Sequence, residues 1–134
     1  MIIDCHGHYT TAPKALEDWR SRQIAGLQDA ALTPKVSDLK ISDDELRESI
    51  ESNQLKKMRE RGSDLTIFSP RASFMAHHIG DFNTSANWAA ICNELCFRVA
   101  QLFPDSFIPA AMLPQSPGVE PATSIPELVK CVEQ

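Results

Sequence analysis

The 134-residue chain has no apolar run long enough to span a bilayer, which excludes a membrane-spanning helix as its organising element. It also lacks a basic stripe with interleaved aromatics. With a formal net charge of -5, neither nucleic acid nor an anionic membrane surface is expected as its main partner. None of the four cysteines (Cys5, Cys92, Cys96, Cys131) forms a Cys-x-x-Cys pair, and the size does not demand disulfide staples. Reduced thiols and a cytoplasmic location are the expectation. The apolar start before Asp4 is very short and no basic segment precedes it, so no secretory signal is expected. No repeat, low-complexity segment or linker divides the chain, and a single domain over residues 1–134 is expected. What is present is ordinary for a soluble globular protein: 43% hydrophobic and 23% charged residues, enough for a moderate core.

Apolar patterning alternates between strand-like and helical. Residues 1–8 read as a strand, and Thr10-Thr11-Ala12-Pro13 as the start of a helix that runs through Leu16, Trp19, Gln23 and Leu27 to about Ala31. The stretch from Thr33 to Ile41 lacks periodicity and reads as a loop. Ser42-Asp43-Asp44-Glu45 is a capping box for a second helix carrying Leu46, Ile50, Leu55 and Met58 and closing at Gly62. Asp64 to Pro70 is a second strand, apolar on both faces, followed by a loop from Arg71 to Phe82. Asn83-Thr84-Ser85 caps a helix with Trp88, Ile91, Leu95, Val99 and Leu102 on one stripe. Phe107 to Leu113 is a third strand, and Ser124-Ile125-Pro126-Glu127 a second capping box for a last helix. Strands separated by helices predict an α/β fold with a parallel sheet and right-handed crossovers.

The chemistry concentrates in Asp4-Cys5-His6-Gly7-His8. On an extended strand Asp4, His6 and His8 share one face, with Ile3 and Cys5 on the other. Two imidazoles so spaced are a ready pair of nitrogen ligands for a divalent ion such as zinc, Zn2+. Asp4 suits a hydrogen-bond acceptor that orients a ligand histidine, and Gly7 leaves room for the backbone to approach what they hold.

Asp4-x-His6-x-His8 on a first strand, followed by βα units, resembles the amidohydrolase superfamily. Residues 1–13 (MIIDCHGHYTTAP), the helical insertion over about 12–62, and Ile67-Phe68-Ser69-Pro70-Arg71 are similar to its amidohydrolase-2 branch. That branch holds the carboxymuconate-semialdehyde decarboxylases and the 4-oxalomesaconate hydratases, with the hydratases the nearer group. The resemblance implies a metal-dependent (β/α)₈ barrel with His6 and His8 as metal ligands. It also implies hydration of 4-oxalomesaconate, or its enol tautomer, in aromatic-compound degradation. A complete barrel needs eight strands and typically about 250 residues. With three strands in sight, the 134 residues are expected to be the N-terminal portion of such an enzyme, inactive alone. The remaining ligands and the acid/base group would lie beyond Gln134.

A polycarboxylate substrate needs cationic clamps, and Arg71, just after the second strand, is the candidate for a bidentate carboxylate contact. Ser69 adds a candidate hydroxyl contact and His77 a further substrate contact. Cys92 and Cys96 share a helix face and are expected to be buried free thiols. Trp19 and Trp88 need only core packing to explain them. Two alternatives stay open: a non-oxidative decarboxylase of the same superfamily, and a non-catalytic metal-binding or partner chain of a split barrel. Open strand edges and uncovered apolar surface predict self-association, with a homo-oligomer as the expected state.

Overall fold

Three parallel strands give the alternating pattern its spatial form. In a computed structural model, which describes residues 1–134, β1 (Ile3–His8), β2 (Leu65–Ser69) and β3 (Phe107–Pro109) lie in the order β1-β2-β3. Parallel neighbours require crossovers, and helices supply them. α1 (Lys14–Ala25), α2 (Asp43–Ile50) and α3 (Lys56–Arg61) separate β1 from β2. α4 (Ala72–Met75) and α5 (Phe82–Leu102) separate β2 from β3, and α6 (Ile125–Glu133) follows. No helix is long and apolar enough to cross a membrane.

Local chemistry explains several element ends. Ser42 Oγ accepts from the Glu45 backbone N–H while Glu45 Oε2 accepts from the Ser42 N–H, so the first capping box forms as expected. Gly62, at φ 67°, closes α3 in the left-handed conformation that glycine adopts without penalty. Between α2 and α3, Glu51–Leu55 forms a π turn. The buried residues step from Leu46 to Ile50 to Leu55 to Met58. The long step from Ile50 to Leu55 suits an i→i+5 turn, which keeps both on the core side.

Elsewhere the structure corrects the sequence reading. α1 starts at Lys14 with Pro13 at its N-cap and no side-chain cap, because Thr11 Oγ1 donates to Gln54 Oε1 instead. It ends at Ala25, not near Ala31, and Leu27 is exposed. The loop after β2 contains the short α4, and the cap of α5 is Asp81, whose carboxylate accepts from the Thr84 N–H. β3 stops at Pro109, since the Met112 backbone is drawn to α5: Asn93 Oδ1 accepts from its N–H and Asn93 Nδ2 donates to its carbonyl. The second capping box does not form. Ser124 Oγ donates to the Pro114 carbonyl, and Glu127 Oε1 accepts from Asn93 Nδ2.

One face of the sheet is packed and the other is open. Thr66, Phe68 and Phe107 turn towards the helices and are buried; Phe68 stacks obliquely on Phe107 at 4.9 Å and on Tyr9 at 5.3 Å. Trp19 and Trp88 stack in parallel at 6.1 Å within this core, as packing residues. Cys92 and Cys96 are buried there as free thiols, and burial pushes the Cys92 pKa up to about 12. On the opposite face, Ile3, Ile67 and Ile108 are 50%, 37% and 48% exposed, so β2 is covered on one side only.

Candidate metal centre

The two histidines owe their placement to an irregularity in β1. From Asp4 to Gly7 the strand advances three residues while its partner advances only two, from Thr66 to Phe68, so one extra residue is bulged out. The bulge breaks the strict alternation expected for this segment. Asp4 is in register with Thr66 and His8 with Ser69, and residues three apart on β2 face opposite sides, so Asp4 and His8 do also. Asp4 Oδ1 accepts from the His6 backbone N–H at 3.0 Å, fixing the bulge and not an imidazole. Gly7 also has a role other than the one expected. A Cβ there would stand 2.1 Å from Thr66 Cγ2 and 2.9 Å from the Ile67 carbonyl oxygen, so the close approach is to β2 and not to a ligand.

His6 and His8 nonetheless converge. Their Nε2 atoms lie 3.2 Å apart, with the rings nearly perpendicular at 83°. Two nitrogen ligands of a tetrahedral zinc, each about 2.0–2.1 Å from the metal, stand about 3.3 Å apart. The donor type and spacing therefore fit that ion. No group of three or more His, Cys, Asp or Glu side chains gathers anywhere in the chain, so the pair stands without a third such donor.

His8 is held from behind. Its Nδ1 lies 2.7 Å from Ser69 Oγ and 3.2 Å from the Pro70 carbonyl oxygen. Ser69 Oγ is also 3.1 Å from the Gly7 carbonyl. Gln54, carried by the π turn, spans the loop after β1: its Nε2 reaches the His8 carbonyl at 3.5 Å and Thr10 Oγ1 at 3.4 Å. Sequence reading missed Gln54, whose only trace was the irregular step from Ile50 to Leu55.

The other candidates lie apart from the imidazole pair. Arg71 donates from Nε to Ser73 Oγ, and its guanidinium covers the Phe74 ring at 4.7 Å. The Nη donors make no protein hydrogen bond. His77 is bonded through Nδ1 to Ser85 Oγ and lines a separate open hollow with Ser73, His78 and Gln115. Burial, then the nearby Arg20 charge, then His78 lower its pKa from the ordinary imidazole value. Arg20 was not anticipated. It is buried without a carboxylate partner, donating to Gln23 Oε1 and the Met75 carbonyl and lying over Trp88 at 5.0 Å.

A family model described as Amidohydrolase matches residues 3–134. The chain belongs to the amidohydrolase family. Over its whole length it is 52% identical to 2-keto-4-carboxy-3-hexenedioate hydratase of a Sphingobium species, of which it covers 39%. The crystal structure of 4-oxalomesaconate hydratase from Rhodopseudomonas palustris superposes on it with a TM-score of 0.93 and 75% identity. That match takes in 99% of this chain and 39% of the other. This amidohydrolase chain thus spans about two fifths of the length of each relative and follows the N-terminal part of their fold.

Proposed function

We propose that these residues are the first βα units of a (β/α)₈ barrel hydratase. It would add water to 4-oxalomesaconate, or its enol tautomer, in the breakdown of aromatic compounds. The observation that carries this reading is the His6–His8 pair, with a 3.2 Å spacing that fits zinc, in a chain 75% identical to a 4-oxalomesaconate hydratase. The exposed isoleucines on one sheet face support the barrel, since inward-facing residues of a barrel form a packed core.

His6 and His8 would hold the ion, with the ligands that complete the site on later strands. Bound zinc supplies Lewis acidity and brings the pKa of water towards neutrality, the condition for adding it at ordinary pH. Arg71 binds a substrate carboxylate through its Nη donors while Ser73 and Phe74 hold its stem and plane. His77, held by Ser85, is a further proposed substrate contact. Free cysteines, including the exposed Cys5, support a reducing cytoplasmic setting.

The test is a hydration assay on the full-length protein, following loss of the dienol absorbance. Metal-dependent turnover should be present in the wild type and fall in His6→Ala and His8→Ala by more than the roughly 10- to 100-fold that loss of a ligand's outer partner typically costs. Turnover that survives both substitutions would refute the metal assignment. Turnover by residues 1–134 alone would refute the partial-barrel reading.

A further inference from the structure

We propose that Ser69 is a positioning residue: the Pro70 carbonyl sets His8 in its Nδ1–H tautomer, and Ser69, as the nearer acceptor, holds the ring so that the bare Nε2 is presented to the metal. The consequence for metal rests on the proposed role of His6 and His8; the hydrogen-bond geometry does not.

Proton counting carries it. The Pro70 carbonyl, 3.2 Å from His8 Nδ1, can only accept, so a bare Nδ1 would set two lone pairs against each other there. A protonated Nδ1 donates to Ser69 Oγ at 2.7 Å with Pro70 as second acceptor. The Ser69 hydroxyl proton is then free for the Gly7 carbonyl at 3.1 Å. For a neutral ring every donor and acceptor is then matched, and the Ser69 hydroxyl also lies 3.4 Å from the Pro70 carbonyl. The backbone of Ser69 joins in, its carbonyl accepting from the Tyr9 N–H at 2.9 Å. One residue therefore ties down Gly7, His8 and Tyr9 in succession.

The two ligands are consequently unequal. His8 is oriented before any metal arrives, whereas the His6 ring makes no hydrogen bond except its contact with His8. An acceptor on the distal nitrogen fixes ring orientation and raises ligand basicity, and its loss typically costs about 10- to 100-fold in metal affinity. Ser69→Ala should weaken affinity by that factor. Ser69→Thr, which keeps the hydroxyl, should remain within a few-fold of wild type.

Histidine ¹⁵N spectra of the metal-free full-length protein, combined with zinc titration of the three forms, decide the matter. Expected are a protonated Nδ1 and bare Nε2 for His8 in all three forms, because the Pro70 carbonyl still requires the proton in Ser69→Ala, with zinc affinity lowered in Ser69→Ala alone. A bare Nδ1 in the wild type overturns the proposal whether or not any variant folds. Unchanged zinc affinity in a folded Ser69→Ala would overturn it equally. If the wild type shows the expected tautomer but binds no zinc, the positioning role stands and the metal reading of the site falls.

Discussion

At the scale of single residues, space at Gly7 and charge at His77 make opposite kinds of demand. The Gly7 requirement is steric: a methyl there collides with Thr66 Cγ2 and the Ile67 carbonyl. Gly7→Ala should destabilise the fold by about 1–3 kcal/mol, the usual cost of overpacking, as read by denaturant unfolding. Thr66→Ser removes the nearer clash and should recover part of that loss. A Gly7→Ala variant as stable as wild type would show that β1 can shift away from β2. His77 is governed by its surroundings, which hold its pKa below the ordinary value of about 6.5. As pH falls through that ordinary value, the unfolded chain takes up a proton before the folded chain does. The contribution is full above about pH 6.5 and is lost progressively as pH drops towards the lowered folded value. His77→Gln should flatten this part of a stability curve measured between about pH 7 and 5. An identical slope in variant and wild type would remove His77 as its source.

Elements show which sequence signals survive folding. The Ser42–Glu45 capping box was legible because both partners lie within one turn and nothing else competes for them. The same pattern at Ser124–Glu127 failed through distant competitors: the Pro114 carbonyl takes the serine proton and Asn93 takes the carboxylate. Asn93 also shortens β3 by drawing off Met112, a contact 19 residues away that periodicity cannot report. On β1, His-x-His pointed to two imidazoles that do converge, but the bulge that reverses Asp4 depends on the register with β2. The sequence therefore reported the convergence of the two imidazoles and not the surroundings of Asp4 and Gly7. The cap of α5 gives a direct check. Asp81→Ala should cost about 1 kcal/mol, within the range for losing an N-cap side chain, while Asn83→Ala should cost little. Equal thermal shifts from the two substitutions would return the cap to the Asn83 region.

For the whole molecule, the decisive feature is that the sheet has one finished face. Phe68 and Phe107 are buried under helices, whereas Ile3, Ile67 and Ile108 face outward from the same strands. Burying an isoleucine side chain contributes roughly 1.5–3 kcal/mol, so an exposed row of them favours any partner that covers it. In the proposed barrel that partner is the remainder of the enzyme, consistent with the chain spanning 39% of its relatives' length. Residues 1–134 produced alone should instead cover the face with each other and self-associate in a concentration-dependent way, as light scattering would show. Replacing Ile67 and Ile108 together by glutamate should then shift that chain towards monomer. In the full-length protein the same pair should be strongly destabilising, because two carboxylates would be forced into a packed interior. The two contexts thus predict opposite outcomes for one double substitution. A full-length protein that tolerates both glutamates would mean this face is not the inside of a barrel.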